Sequence, residues 1–178
     1  MQNGALRVFC GQFDVYAEVR KALDAVGGRR ADVWARLLQA GRLEEPGTTI
    51  GYAAWWILLA CASPADLPRL RPWVAFVPST TYSQLRNAYL RIGVDPIDAR
   101  DFMRILRALA WTRGRVERVE GELALGDPRT TDAMIARAGL SKDRPADPIT
   151  FEEFVAGQRF VPPDHPLLDE IRAVAAGL

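Results

Sequence analysis

Histidine occurs once in these 178 residues, cysteine twice, and lysine only at Lys21 and Lys142. A single imidazole, His165, is all that a Ser-His-Asp or Cys-His relay could use, and it is too few for a histidine-based metal cluster. It sits in Val161-Pro162-Pro163-Asp164-His165-Pro166, which reads as a rigid, exposed, extended tail and a poor place for proton transfer. Cys10 and Cys61 lie far apart in apolar surroundings and read as two buried thiols, not a bridge. Gly27-Gly28 is followed by Arg29-Arg30 without the Lys-Ser/Thr of a phosphate loop. The acidic pairs Glu44-Glu45 and Glu152-Glu153 are adjacent, so their side chains diverge and cannot both aim at one substrate. No catalytic residue, metal site or cofactor is expected.

Long hydrophobic runs are also missing. The longest, Ile50 to Ala62, has thirteen residues. That falls short of the about 20 a membrane helix needs and suits a buried core helix. No basic segment precedes an apolar stretch at Met1–Cys10, so no signal peptide is expected, and the chain reads as a protein of a bacterial-type cytoplasm. With 49% apolar and 25% charged residues it can bury a core without disulfides or metals. One domain over residues 1–178 is expected, with a candidate sub-boundary near 114–127.

The most motif-like feature is an eight-residue echo. Asp95-Pro96-Ile97-Asp98-Ala99-Arg100-Asp101-Phe102 returns as Asp147-Pro148-Ile149-Thr150-Phe151-Glu152-Glu153-Phe154. Asp followed by Pro suits the first positions of a helix: the carboxylate accepts from free backbone N–H groups, and proline needs no N–H there. Both copies are therefore expected to open helices on their Asp. The residues flanking the copies do not continue the similarity.

Apolar periodicity and stop signals predict a mainly α protein, a bundle of six to eight helices. Helices are expected over about 13–26 and 31–40, and over 50–62 as the central, most buried one. Others follow Thr80 or Thr81 to a stop at Gly93, run from Pro96 to Thr112 with Phe102, Ile105, Leu106, Leu109 and Ala110 inward and a stop at Gly114, and lead from Asp127-Pro128 to Ala138, closed by Gly139. A last short one covers Leu167 to Ala176. A small β-hairpin or strand pair is the alternative at three places: 6–10, 73–77 and the mixed-period stretch 115–125, where Gly121 suggests a hairpin or bend.

Two segments resemble known families. Asp147 to Phe154 resembles the end of an EF-hand calcium loop, with Glu153 in the place of the bidentate carboxylate. The earlier ligand places then fall on Lys142, Arg144 and Ala146, so the resemblance implies at most a helix-loop-helix without metal. Met134 to Ser141 is similar to the first helix and turn of a helix-turn-helix DNA reader. The helix that should follow contains Pro145 and Pro148 and is acidic, which opposes approach to phosphates.

What the chain has in excess is arginine, 21 against two lysines. A GC-rich genome explains most of that, since alanine, glycine and proline are also plentiful. The charge is unevenly spread: even over 1–68, +6 over 69–118 and −5 over 119–178. Arg100, Arg104 and Arg107 fall at helical spacing, and Arg113, Arg115 and Arg118 extend the series. This stripe is expected to face away from Phe102, Ile105 and Leu109. It would receive an acidic protein partner, dock the acidic last third, or pair locally, as Asp101 with Arg104.

The reading that follows is a non-enzymatic, bacterial or phage-type interaction protein, such as an adaptor, an inhibitor or an immunity-like protein. It would meet a partner with an acidic surface through its arginines, or a basic one through the acidic Glu152–Glu170 region. One alternative is an enzyme or ligand binder with a pocket among the aromatic helices. Another is a nucleic-acid-binding regulator, which the scarcity of lysine and the lack of aromatic interleaving disfavour.

Overall fold

The computed structural model describes residues 47–61, 81–123, 125–141 and 147–176. The two N-terminal helices expected over 13–26 and 31–40, and the strand candidates at 6–10 and 73–77, lie outside the described residues. The described residues form seven α-helices and one 3₁₀ turn, with no strand. The helices are α1 (Thr49–Cys61), α2 (Tyr82–Arg91), α3 (Pro96–Trp111), α4 (Val119–Leu123), α5 (Pro128–Arg137), α6 (Phe151–Gly157) and α7 (Pro166–Ala176), and the 3₁₀ turn Val116–Arg118 runs into α4. None is long and apolar enough to cross a membrane. The mainly α expectation therefore holds. The hairpin alternative at 115–125 does not: Val116, Val119 and Leu123 turn inward at helical spacing, which favours the 3₁₀ turn and α4.

The apolar run of α1 makes it the hub, as its sequence predicts. It packs on α7, α3 and α2. Ala53, Ala54, Ile57, Leu58, Ala60 and Cys61 are wholly buried, and Trp55 and Trp56 nearly so. A helix apolar on every side is stable only when covered on every side. Each large side chain enclosed this way contributes about 1.5–3 kcal/mol. Across from α1, Tyr89 of α2 donates its hydroxyl to the Ala53 carbonyl at 3.1 Å. Burial, helped by the nearby Cys61, pushes the Tyr89 phenol well above its ordinary pKa. The Cys61 thiol is buried, as expected, and donates to the Met103 carbonyl. Phe102 of α3 stacks on Phe154 of α6 with centroids 5.3 Å apart, closing the far side.

Sequence-local signals set the helix ends. Thr48 caps α1 by accepting from the Gly51 N–H at 3.0 Å. Thr81 and Gln84 form a reciprocal capping box on α2. Asp95 and Asp127 each accept a backbone N–H at the start of α3 and α5, followed by proline. The second Asp-Pro-Ile copy departs from this pattern. The cap of α6 is Thr150, boxed with Glu153, and Asp147-Pro148 lies upstream of the helix. Two forces move the start by three residues. Thr-x-x-Glu satisfies two free donors at once, which a lone Asp does not. The Ile149 N–H is also taken by the Gly114 carbonyl at 2.9 Å. Glu153, the residue in the EF-hand carboxylate place, thus serves as the backbone cap partner.

At their C-termini α2, α3 and α5 all close in the same way. The N–H two residues past the cap reaches back to a carbonyl in the last turn: Val94 to Tyr89, Gly114 to Leu109 and Leu140 to Ile135. This turn requires a left-handed residue, usually glycine. Gly93 and Gly139 supply it at φ 76° and 67°. At α3 the residue is Arg113, φ 56°, and Gly114 follows at φ 76°. Gly114 was the expected stop; it serves instead to let the chain approach Ile149, whose carbonyl would lie 2.5 Å from a Cβ there.

Candidate functional site

The arginine series divides into an inward and an outward group. Arg104 is only 6% exposed, and Asp101 beside it is also buried. Arg100, half-buried, places Nε and Nη2 at 2.8 and 2.7 Å from Asp101 Oδ1, and Arg104 Nη1 lies 3.9 Å from the same oxygen. Arg107 is half-buried. The expectation of a solvated stripe on α3 is thereby corrected. Packing by α1, α2, α4 and α5 covers most of the helix circumference, so its arginines cannot form a single outer face. Beyond the helix, Arg113, Arg115 and Arg118 are exposed. They share this corner with exposed Glu117, Glu120 and Glu122. A non-glycine residue in the left-handed region costs about 1 kcal/mol. Arg113 stands in that conformation with its side chain in solvent.

Part of the acidic last third is engaged internally. Arg172 of α7 grips Glu152 of α6 with Nε and Nη2 at 2.8 and 2.7 Å, and Asp169 with Nη1 at 2.6 Å. The paired carboxylates raise the Arg172 pKa, Glu152 most of all. His165 is not in an exposed tail either. It is half-buried, its Nε2 is 2.7 Å from the Ile92 carbonyl, and its Nδ1 accepts the Leu167 N–H at 3.0 Å. These contacts assign the ring proton to Nε2. The imidazole caps α7 and pins it to the end of α2.

Two of the clefts on the described surface have polar linings of note. One, about 290 Å³, lies between α1 and α2 and is lined by Thr49, Tyr52, Trp56, Gln84, Asn87, Ala88 and Arg91. Tyr52, Trp56 and Tyr89 form an aromatic row with successive centroids 6.3 and 6.1 Å apart. The Trp56 indole N–H has no hydrogen-bond acceptor among the described residues but is sealed from solvent, so it does not open into the cleft. Gln84 is held by its capping box.

The other cleft, about 340 Å³, lies along α5 beside α3. Its walls are Asp101, Arg129, Thr130, Ala133, Met134, Arg137 and Phe160. The guanidinium of Arg137 lies 4.8 Å over the Phe160 ring. Its Nη2 donates to Asp98 at 2.7 Å and to the Arg159 carbonyl at 3.3 Å. Its other donors meet no acceptor among the described residues. The loop carrying Phe160 is rigid because Gln158 is buried in it. That amide accepts from the Phe160 and Val161 N–H groups and donates to the Val155 and Val161 carbonyls. Arg129 is exposed in the first turn of α5 and has no carboxylate partner among the described residues. Beside it the Thr130 hydroxyl, and then the Arg129 N–H, hold the Asp127 carboxyl below its usual range.

Sequence reasoning missed Arg129 and Arg137. A signal for Arg129 was present: a cation in the first turn opposes the helix dipole and has no structural reason to be there. Arg137 was hidden because its partners, Asp98 and Phe160, are remote in sequence. The helix that would follow α5 in a helix-turn-helix falls largely on 142–146, outside the described residues; the next described helix, α6, begins at Phe151 and carries Glu152 and Glu153 in its first turn. Among the described residues, no three His, Cys, Asp or Glu side chains gather as a metal site. No family model, curated protein or solved structure matches the chain.

Proposed function

We propose that this chain is a binding protein that holds a partner with an acidic surface through arginines mounted on a rigid helical frame, in the manner of an adaptor or inhibitor. The observation that carries this reading is Arg113. The α3 terminus takes glycine at no conformational cost, yet an arginine is kept there in the left-handed region, φ 56°, with its side chain outward. Arg115 and Arg118 stand beside it. Arginine presents a planar fork that matches carboxylates two bonds at a time.

The test is capture from lysate of the source cells, with mass spectrometry, by the parent chain and by the triple variant Arg113→Glu, Arg115→Glu, Arg118→Glu. The expected result is an acidic protein retained by the parent, released steeply as salt rises, and lost from the triple variant. Equal recovery by both chains at all salt concentrations would remove the corner from the binding surface.

A further inference from the structure

We infer that the cleft along α5 is an anchoring site for a carboxylate side chain of an acidic peptide segment, with Arg129 and Arg137 as the recognising groups. This deepens the acidic-partner reading and rests on it for the sign of the partner's charge. The cleft lies on a different element from the Arg113–Arg118 corner.

Arg129, Ala133 and Arg137 are spaced four apart along α5, so they fall near one line of the helix. Arginines stand at both ends, and the small Ala133 leaves the space between them open. The apolar walls, Met134 and Phe160, are buried and suit the methylene stem of an aspartate or glutamate. Arg137 needs little ordering on binding: Asp98, the Arg159 carbonyl and the Phe160 ring already fix its plane. A guanidinium fixed before the ligand arrives loses less entropy per bond formed. Arg129 supplies the free charge.

The cleft has one carboxylate in its own wall, Asp101. It is neutralised from behind by Arg100 at 2.7 Å and faced by Arg104 at 3.9 Å. The lining itself therefore carries two guanidiniums, Arg129 and Arg137, against the one carboxylate of Asp101, so an added carboxylate still meets a net positive wall; Asp127 and Asp132 flank Arg129 outside that lining. The volume, about 340 Å³, takes one or two side chains and not a length of nucleic-acid backbone. No track of further cations leads away along α5, whose other charges include Asp132. Those features favour a peptide over a nucleic acid.

The helix itself gives an independent sign. Glutamate in place of Arg129 would suit the α5 N-terminus better than arginine does. A residue kept against the local preference of its helix is the pattern expected where binding and stability compete.

The experiment uses the full chain and a capped tetraglutamate peptide, followed by side-chain NMR of the Met134 methyl and the Arg137 Nε–Hε group. Both signals are expected to shift together and saturate. Arg129→Glu is expected to weaken binding by at least about tenfold, the loss of one charge-assisted pair, while unfolding no more easily than the parent. Ala133→Trp is expected to abolish it by filling the space. The Arg113, Arg115, Arg118 triple variant is expected to bind the peptide at the cleft as the parent does.

Absence of a shift at Met134 and Arg137, or affinity unchanged in Arg129→Glu, would overturn the inference. If either occurred while the lysate capture still returned an acidic protein, the cleft would fall and the broader reading would stand. Competition by inorganic phosphate or a single-stranded oligonucleotide as strong as that of the peptide would overturn the assignment to carboxylates.

Discussion

Arg104 and Arg113 lie nine residues apart and belong to the same sequence series, yet their fates are opposite. Arg104 is 6% exposed beside Asp101, within the packed bundle. Arg113 is exposed and held in a backbone conformation that glycine would adopt more easily. The same division runs through the molecule. Arg100, Arg137 and Arg172 each meet a carboxylate of the chain itself. Arg115, Arg118 and Arg129 face solvent. The comparison teaches that charge count along a helix does not identify a binding face. Arginines paired within the chain belong first to the framework, Arg137 doing so while it also lines the α5 cleft, and those placed where the local backbone disfavours them are the ones to examine for function.

Substitution separates the two sets. The largest effect is expected at the most buried member. Arg104→Glu sets a second carboxylate beside buried Asp101, with a cost of about 3–5 kcal/mol. Urea unfolding should show a chain that is largely unfolded or barely stable; a midpoint near that of the parent would break the division. A smaller loss is expected at Arg172, which bridges α6 and α7 near the surface. Arg172→Met keeps an unbranched apolar stem but removes the guanidinium that lies over Phe151 and releases Glu152 and Asp169, at about 1 kcal/mol. That loss should shrink at high salt, and a loss independent of salt would assign Arg172 a packing role only. At the outward set the sign should reverse. Arg113→Gly is expected to stabilise the fold by up to about 1 kcal/mol.

Much of this fold was legible in the sequence because its signals are local. The apolar run at 50–62 became the hub. Asp95-Pro96 and Asp127-Pro128 became helix starts, and Gly93 and Gly139 became helix ends. The errors fall where a remote partner outweighs a local preference. Asp147-Pro148 reads as a helix start as well as Asp95-Pro96 does, but the Gly114 carbonyl claims the Ile149 N–H and Thr150 takes over the cap. His165 reads as a tail residue until Ile92, far upstream in sequence, accepts its proton. The candidate site was half legible. Helical spacing found the arginines of α3, but not that neighbouring helices would cover them. The cleft depends on Phe160 and Asp98 meeting Arg137, which no spacing along the chain encodes.

The idea beneath all of this is that outward arginines stay in place at some expense to the fold. The urea-unfolding midpoint of Arg113→Gly measures that most directly. A midpoint above that of the parent chain, with an unchanged slope, is the predicted result. A midpoint below it would mean that the arginine itself holds the α3 terminus together, and would contradict the account.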